Sequence, residues 1–74
     1  MSADNFVVIR KLHDGYRWGS FSMSYDSETE LKDLPKNKFM NGPFESVDKC
    51  MEELHKLEDN GYVIEYGISV YKET

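Results

Sequence analysis

Cysteine and histidine are the residues that could most directly carry chemistry in this sequence. Cys50 and His55 lie five positions apart in a segment with helical periodicity. Because successive helical residues are rotated by about 100°, these side chains diverge too far to form a nucleophile–base pair. With His13 the chain has one cysteine and two histidines, and their spacing matches no zinc site. We interpret Cys50 as a buried small apolar residue and the histidines as surface residues.

Carboxylates are plentiful, but no pair of them has the arrangement of a general acid and base. Glu52 and Glu53 are adjacent on the predicted helix and point about 100° apart. The five glycines lie at turns or singly in strands, so they form no phosphate-binding loop. The sequence therefore predicts no catalytic residue, no cofactor, no metal site and no enzyme activity.

The N-terminal part of the chain has the pattern of a β-hairpin. Residues 6–12 are rich in β-branched side chains, and Asp14-Gly15 favours a type I′ turn before a second strand over residues 16–25. With Asp14 and Gly15 as the loop, Lys11 faces Trp18 and Val8 faces Phe21. Directly opposed residues share one face of a sheet. One predicted face carries Phe6, Val8, Phe21, Met23 and Tyr25, and the other carries Val7, Ile9, Lys11, His13, Tyr16, Trp18, Ser20 and Ser22.

The rest of the chain predicts a short helix, a main helix and a last strand. A capping-box pattern begins at Ser27 and predicts a short helix ending near Leu34, followed by a loop over residues 36–42. Ser46 is a good N-cap for the main helix, and Asn60-Gly61 supplies its stop. Residues 62–71 alternate between apolar and polar positions, as in a half-buried strand.

These elements predict a single α+β domain over residues 1–74. Its topology is β-β-(short α)-α-β, with two layers: a three-stranded antiparallel sheet of order 2-1-3 and one main helix. We expect the helix to cover the face that carries Phe6 and Val8. Ile9, Tyr16 and Trp18 would then lie on an uncovered face, and Trp and Tyr are residues that dominate interface energetics.

Charge excludes some functions and suggests others. The chain has 14 acidic and 9 basic residues and a net charge of −5, which disfavours ordinary binding to a phosphate backbone. Ten of the acids lie between residues 26 and 59, including Asp48, Glu52 and Glu53. This segment is either a solvated helix face with local ion pairs or an acidic surface that complements a basic partner, and the sequence is compatible with both.

Three features of the sequence bear on where the protein acts. A lone cysteine favours a reducing cytoplasm, and we find no apolar run of about 18 residues and no signal-peptide pattern. Met1-Ser2-Ala3-Asp4-Asn5, and the helix followed by Glu65-Tyr66-Gly67, resemble the opening and ending of small uncharacterised phage and prophage proteins, although Phe6 stands where those usually have glycine. The resemblance implies a phage-encoded accessory protein in the cytoplasm of a bacterial host, and it transfers no catalytic residue.

We therefore predict a small acidic protein that binds and modulates a host or phage protein. Its specific form would be an inhibitor of a nucleic-acid-processing or defence enzyme. The predicted partner-binding residues are Ile9, Tyr16, Trp18, Asp48, Glu52 and Glu53. Two alternatives remain: a structural homodimer through the uncovered sheet face, and binding of single-stranded nucleic acid by stacking on Tyr16 and Trp18.

Overall fold

A computed structural model of the chain describes residues 4–72. The first three residues of the opening motif, Met1 to Ala3, lie outside the described residues. The elements in chain order are β1 (Asn5–Leu12), β2 (Gly15–Ser22), α1 (Met23–Asp26), two 3-10 turns (Leu31–Asp33 and Lys36–Lys38), β3 (Asn41–Phe44), α2 (Val47–Asp59) and β4 (Ile68–Tyr71). The predicted α+β class is confirmed, with one sheet and one main helix. The predicted three-stranded antiparallel sheet is wrong, because the sheet has four strands and is mixed.

The strand order is β3-β2-β1-β4, so the first strand lies between the second and the last, as predicted. β4 nevertheless runs parallel to β1, with Val7 paired to Ile68. The reason is β3, a strand that was not predicted and whose first two residues belong to the predicted loop over residues 36–42. β3 pairs antiparallel with β2 and adds one reversal of the chain. After α2 brings the chain back, the last strand has the direction of β1.

The hairpin register differs from the prediction by two residues. Phe6 pairs with Phe21 and Ile9 with Trp18, and Leu12 pairs with Gly15, which leaves two residues, 13 and 14, as the loop. Gly15 has a φ of +137°, and the described residues have positive φ only at glycines, so the type I′ turn is wrong. Because side chains alternate with a period of two, a two-residue shift keeps the side chains within β1 and β2 on their predicted faces. The predicted second strand is too long, however, because it ends at Ser22 and the chain turns into α1. Met23 and Tyr25 therefore lie on this helix and not on the sheet, and Tyr25 is 87% exposed.

Both faces of the sheet are covered, which contradicts the predicted two-layer fold. On the first face, Phe6, Val8 and Phe21 pack with Leu34 and Phe39 from the segment between α1 and β3. α2 covers the opposite face, where Cys50 and Leu54 pack with the side chains of β1 and β2. The helix therefore covers the face that was expected to be open. The unbroken apolar run of residues 6–9 is typical of a strand buried on both faces.

The boundaries of α2 follow its capping residues. The Ser46 hydroxyl accepts a hydrogen bond from the backbone N–H of Lys49 at 3.2 Å, which satisfies one free donor of the first turn. Asn60 caps the other end, and Gly61 follows with a φ of +99°, so the predicted start and stop are confirmed.

Two other predicted elements are wrong in extent. Ser27 is the C-cap of α1 and not the N-cap of a helix, and a single 3-10 turn, Leu31–Asp33, replaces the short helix. The last strand covers only Ile68–Tyr71. Asn5 holds part of the preceding segment through two hydrogen bonds. Its side-chain amide donates to the backbone carbonyl of Val63 at 2.9 Å, and its backbone carbonyl accepts from the N–H of Tyr66 at 3.0 Å.

Candidate functional site

Two of the six predicted partner-binding residues belong to the core. Ile9 is fully buried and Trp18 is 4% exposed, and both lie in the cluster beneath α2. The Trp18 ring centroid lies 6.2 Å from that of Tyr62. The expectation that Ile9 and Trp18 lie on an uncovered face is wrong, because α2 lies on that face. In this fold they can contact a partner only if the core opens.

The burial of Trp18 also bears on the two alternative functions. Its indole face is not available for stacking on a base, which single-stranded nucleic-acid binding through Trp18 requires. A homodimer through the uncovered face loses its basis as well, since α2 covers that face. The indole Nε1 is buried and has no hydrogen-bond partner among residues 4–72.

The three acidic candidates lie on α2 with different exposures. Asp48 and Glu52 are exposed, whereas Glu53 is half-buried. The Glu52 carboxylate pairs with the Lys49 ammonium at 3.3 Å, and both side chains are more than half exposed, so this pair contributes little to stability. Asp48 and Glu52 lie one turn apart on the side of the helix that faces solvent, and we call these two residues the acidic face.

The acidic face has a rigid base. Cys50 and Leu54 lie on the same helix, are fully buried and anchor it to the sheet. Because the buried stripe fixes the rotation of the helix, the two carboxylates project from a defined line about 6 Å apart along the axis.

The hairpin end of the molecule carries a groove that the sequence analysis missed. The groove has a volume of about 1130 Å³, and it is lined by the hairpin, the loop before β3, the start of α2 and the end of β4. Its lining includes Tyr16, the remaining predicted aromatic candidate, which is half-buried, and Met40, which is 74% exposed. We call this feature the hairpin-end groove.

Basic residues predominate around the hairpin-end groove. Within the part of the chain that the structure describes, its lining includes Lys11, Arg17, Lys36 and Lys72 but one acidic residue, Asp14. Asp14 is already engaged, because the Arg17 guanidinium donates to its carboxylate from two nitrogens, with the shorter contact at 2.7 Å. These hydrogen bonds lower the pKa of Asp14 below its ordinary value. The three lysines have no carboxylate partner among the described residues.

Sequence reasoning could not have found this groove from a local motif. Its lysines lie at positions 11, 36 and 72 and are brought together only by the topology. The strand β3, which was not predicted, helps to form the groove, because it leads the chain from the Lys36–Lys38 turn to the start of α2.

The remaining reactive side chain is Cys50. Its thiol is fully buried, and burial raises its pKa, so the reactive thiolate is disfavoured. Across residues 4–72, no cluster of three or more His, Cys, Asp or Glu side chains could hold a metal ion. Within the same residues, no helix has the length and apolar character needed to cross a membrane.

Comparison with protein-family models, with curated proteins and with solved structures finds no match for this chain.

Proposed function

We propose that the chain is a small interaction protein whose acidic face binds a basic surface on another protein. The observation that carries the proposal is the pair Asp48 and Glu52, which are exposed one turn apart on a helix that the core holds in place. Fixed charges lose little conformational freedom on binding, and they steer association with a surface of opposite charge. Glu53 is half-buried and would contribute at the edge of the contact.

The specific form that we favour is inhibition of a nucleic-acid-processing or defence enzyme. Carboxylates on a helix surface would occupy the basic groove in which such an enzyme binds phosphates. The net charge of −5 supports this choice, since it favours basic partners over nucleic acid. The resemblance to phage and prophage proteins goes with an accessory protein acting in the cytoplasm of a bacterial host.

Affinity capture with two matched charge reversals tests this proposal. The tagged chain is incubated with bacterial lysate beside the double variants Asp48→Lys/Glu52→Lys and Glu58→Lys/Asp59→Lys. Both variants change the net charge equally and alter exposed residues of α2. We expect the wild type and the Glu58/Asp59 variant to retain the same partner and the Asp48/Glu52 variant to lose it. Equal retention by all three proteins, or equal loss by both variants, would contradict the proposal.

A competition experiment then tests the inhibitory form. Fluorescently labelled duplex DNA is bound to the captured partner, and the unlabelled chain is added. If the acidic face occupies a phosphate-binding groove, the chain displaces the DNA and the Asp48/Glu52 variant does not. Simultaneous binding of chain and DNA to the partner would overturn the inhibitory form while leaving the interaction itself intact.

A further inference from the structure

We propose that the hairpin-end groove binds an acidic peptide segment that carries an apolar side chain. This inference goes beyond the proposed function, because the groove and the acidic face are separate surfaces. Either surface can bind its ligand if the other does not.

The lining of the hairpin-end groove has an excess of positive charge. Among residues 4–72, the groove lining holds four Lys and Arg residues but a single carboxylate, that of Asp14. Arg17 is neutralised by Asp14, which leaves the ammonium groups of Lys11, Lys36 and Lys72 around an open groove. In a chain with a net charge of −5, this local excess of positive charge complements an anionic ligand.

Part of the groove lining is apolar. Leu12 and Val70 line the groove and are half-buried, and Met40 is 74% exposed beside them. An exposed methionine can adapt its flexible side chain to different apolar partners. Small-molecule sites usually have volumes of about 300–1,000 Å³. The volume of this groove, about 1130 Å³, lies slightly above that range and leaves room for a short peptide. A short peptide segment with carboxylates for the lysines and one apolar side chain for Met40 matches this lining.

The tyrosine rings of the groove favour a peptide over a nucleic acid as its ligand. Each tyrosine ring in the groove already has a cation on one face: the Lys11 ammonium lies 5.9 Å from the centroid of Tyr16, and the Arg10 guanidinium carbon lies 4.8 Å from that of Tyr71. Single-stranded nucleic acids bind by stacking on free ring faces and tolerate little negative charge nearby. A short acidic peptide needs no stacking on the rings, and it brings fewer negative charges toward this acidic protein than a nucleic acid of the same length does.

The test uses fluorescence polarisation with a labelled octapeptide of alternating glutamate and leucine. Comparison probes are the same peptide with glutamine for glutamate, the same peptide with serine for leucine, and an oligo-dT of matched length. The proteins are the wild type, Lys36→Glu/Lys72→Glu in the groove, and Lys49→Glu/Lys56→Glu on α2. All four lysines are exposed, and the two variants have the same net charge.

We expect the wild type and the α2 variant to bind the glutamate–leucine peptide more tightly than any comparison probe. The groove variant should bind it about 10-fold more weakly, which corresponds to about 1.4 kcal/mol. Met40→Ser should weaken binding several-fold, whereas Val63→Ser, at a residue that is 58% exposed and does not line the groove, should not.

Four results would overturn the inference. They are tighter binding of oligo-dT than of the peptide, equal binding of the glutamine peptide, equal losses in the two lysine variants, and no saturable binding. Sedimentation equilibrium of the protein alone adds a fifth. A dimer that the Lys36/Lys72 variant abolishes would show that a second copy of the chain occupies the groove.

The two proposals fail in distinguishable ways. The Asp48→Lys/Glu52→Lys variant should bind the octapeptide at least as well as the wild type, because the acidic face does not line the groove. Loss of peptide binding in that variant would contradict the separation of the two surfaces.

Discussion

Ile9 lies directly opposite Trp18 in the β1–β2 pair, and both side chains are buried beneath α2. On the reverse side of the same strands, Phe6 stacks on Phe21 with ring centroids 5.8 Å apart. The sheet therefore has a core on each face, and these large aromatic side chains are not available to a partner. Our two proposals therefore rest on other surfaces, the acidic face and the hairpin-end groove.

Truncation of Leu54 tests the contact between α2 and the sheet. Leu54 is fully buried, and Leu54→Ala removes buried methyl groups and leaves a cavity, so it should lower the free energy of unfolding by about 2–5 kcal/mol. Urea denaturation followed by circular dichroism measures the loss. The control is Val63→Ala at a residue that is 58% exposed, for which we expect a change below about 0.5 kcal/mol. A similar loss for both variants would contradict the packing of α2 on this face.

Two serines with similar sequence signals should differ in their effect on stability. Ser46 caps α2 through its hydroxyl, so Ser46→Ala should cost about 1 kcal/mol of unfolding free energy. Ser27 begins the capping-box pattern, but it is the C-cap of α1 and lies at the end of a helix, not at the start of one. Ser27→Ala should therefore change stability by less than about 0.5 kcal/mol. The reverse order in thermal denaturation would favour the helix predicted from the sequence.

Gly19 is placed where the segment before β3 crosses β2. A Cβ atom at this position would lie 2.5 Å from the carbonyl oxygen of Lys38, closer than real Cβ contacts. Gly19→Ala should therefore displace the Lys36–Lys38 turn and lower the unfolding free energy by about 1–3 kcal/mol. Ser20→Ala, at the exposed neighbouring position, is the control. A neutral Gly19→Ala would show that the turn does not pack on β2 as described.

The Asp14–Arg17 pair makes a prediction about pH. Hydrogen bonds from Arg17 lower the pKa of Asp14 below its ordinary value of 3.8, so the folded state favours the carboxylate. The stabilisation is present above the ordinary pKa and is lost as the pH falls through the lower pKa of the folded state. An NMR titration of the side-chain carboxyl carbon should give a midpoint below 3.8 in the wild type and a higher one in Arg17→Gln.

Asp4 is an internal control for this titration. Its pKa is also lowered, chiefly by a hydrogen bond from the Ser24 hydroxyl, and this site does not involve Arg17. The Asp4 midpoint should be the same in the wild type and in Arg17→Gln. A shift of both carboxyl groups would show that the substitution perturbs the whole fold and not the one pair.

Short sequence patterns were sufficient to predict those features of the fold that depend on neighbouring residues. The caps of α2, the two faces of the hairpin and the central position of β1 follow from patterns within a few residues. Features that depend on contacts between distant residues could not be predicted in this way. The strand β3 is an example, because it is four residues long, contains glycine and proline, and so lacks the composition of a strand. Without β3, the parallel pairing of β4 with β1 could not be derived. The half-apolar composition of the Trp18 face led to the prediction of an exposed patch, although this is the face on which α2 packs.

The candidate sites divide in the same way. The acidic face could be predicted, because Asp48 and Glu52 lie on one helix whose buried stripe is visible in the sequence. Ile9 and Trp18 were misplaced with the face that they share. The hairpin-end groove could not be predicted, because Lys11, Lys36 and Lys72 come together only through the pairing of distant strands.

Both faces of the sheet are covered, and we therefore propose that charged surfaces, and not Trp18, meet a partner. Trp18 is the one tryptophan of the sequence, and its fluorescence therefore reports on this position alone. Acrylamide quenching in buffer and in urea measures its exposure directly. The structure predicts a blue-shifted emission in buffer and quenching several-fold weaker than in the unfolded chain, as expected for an indole that is 4% exposed. Quenching in buffer as strong as in urea would show that the Trp18 face is open and would contradict this account.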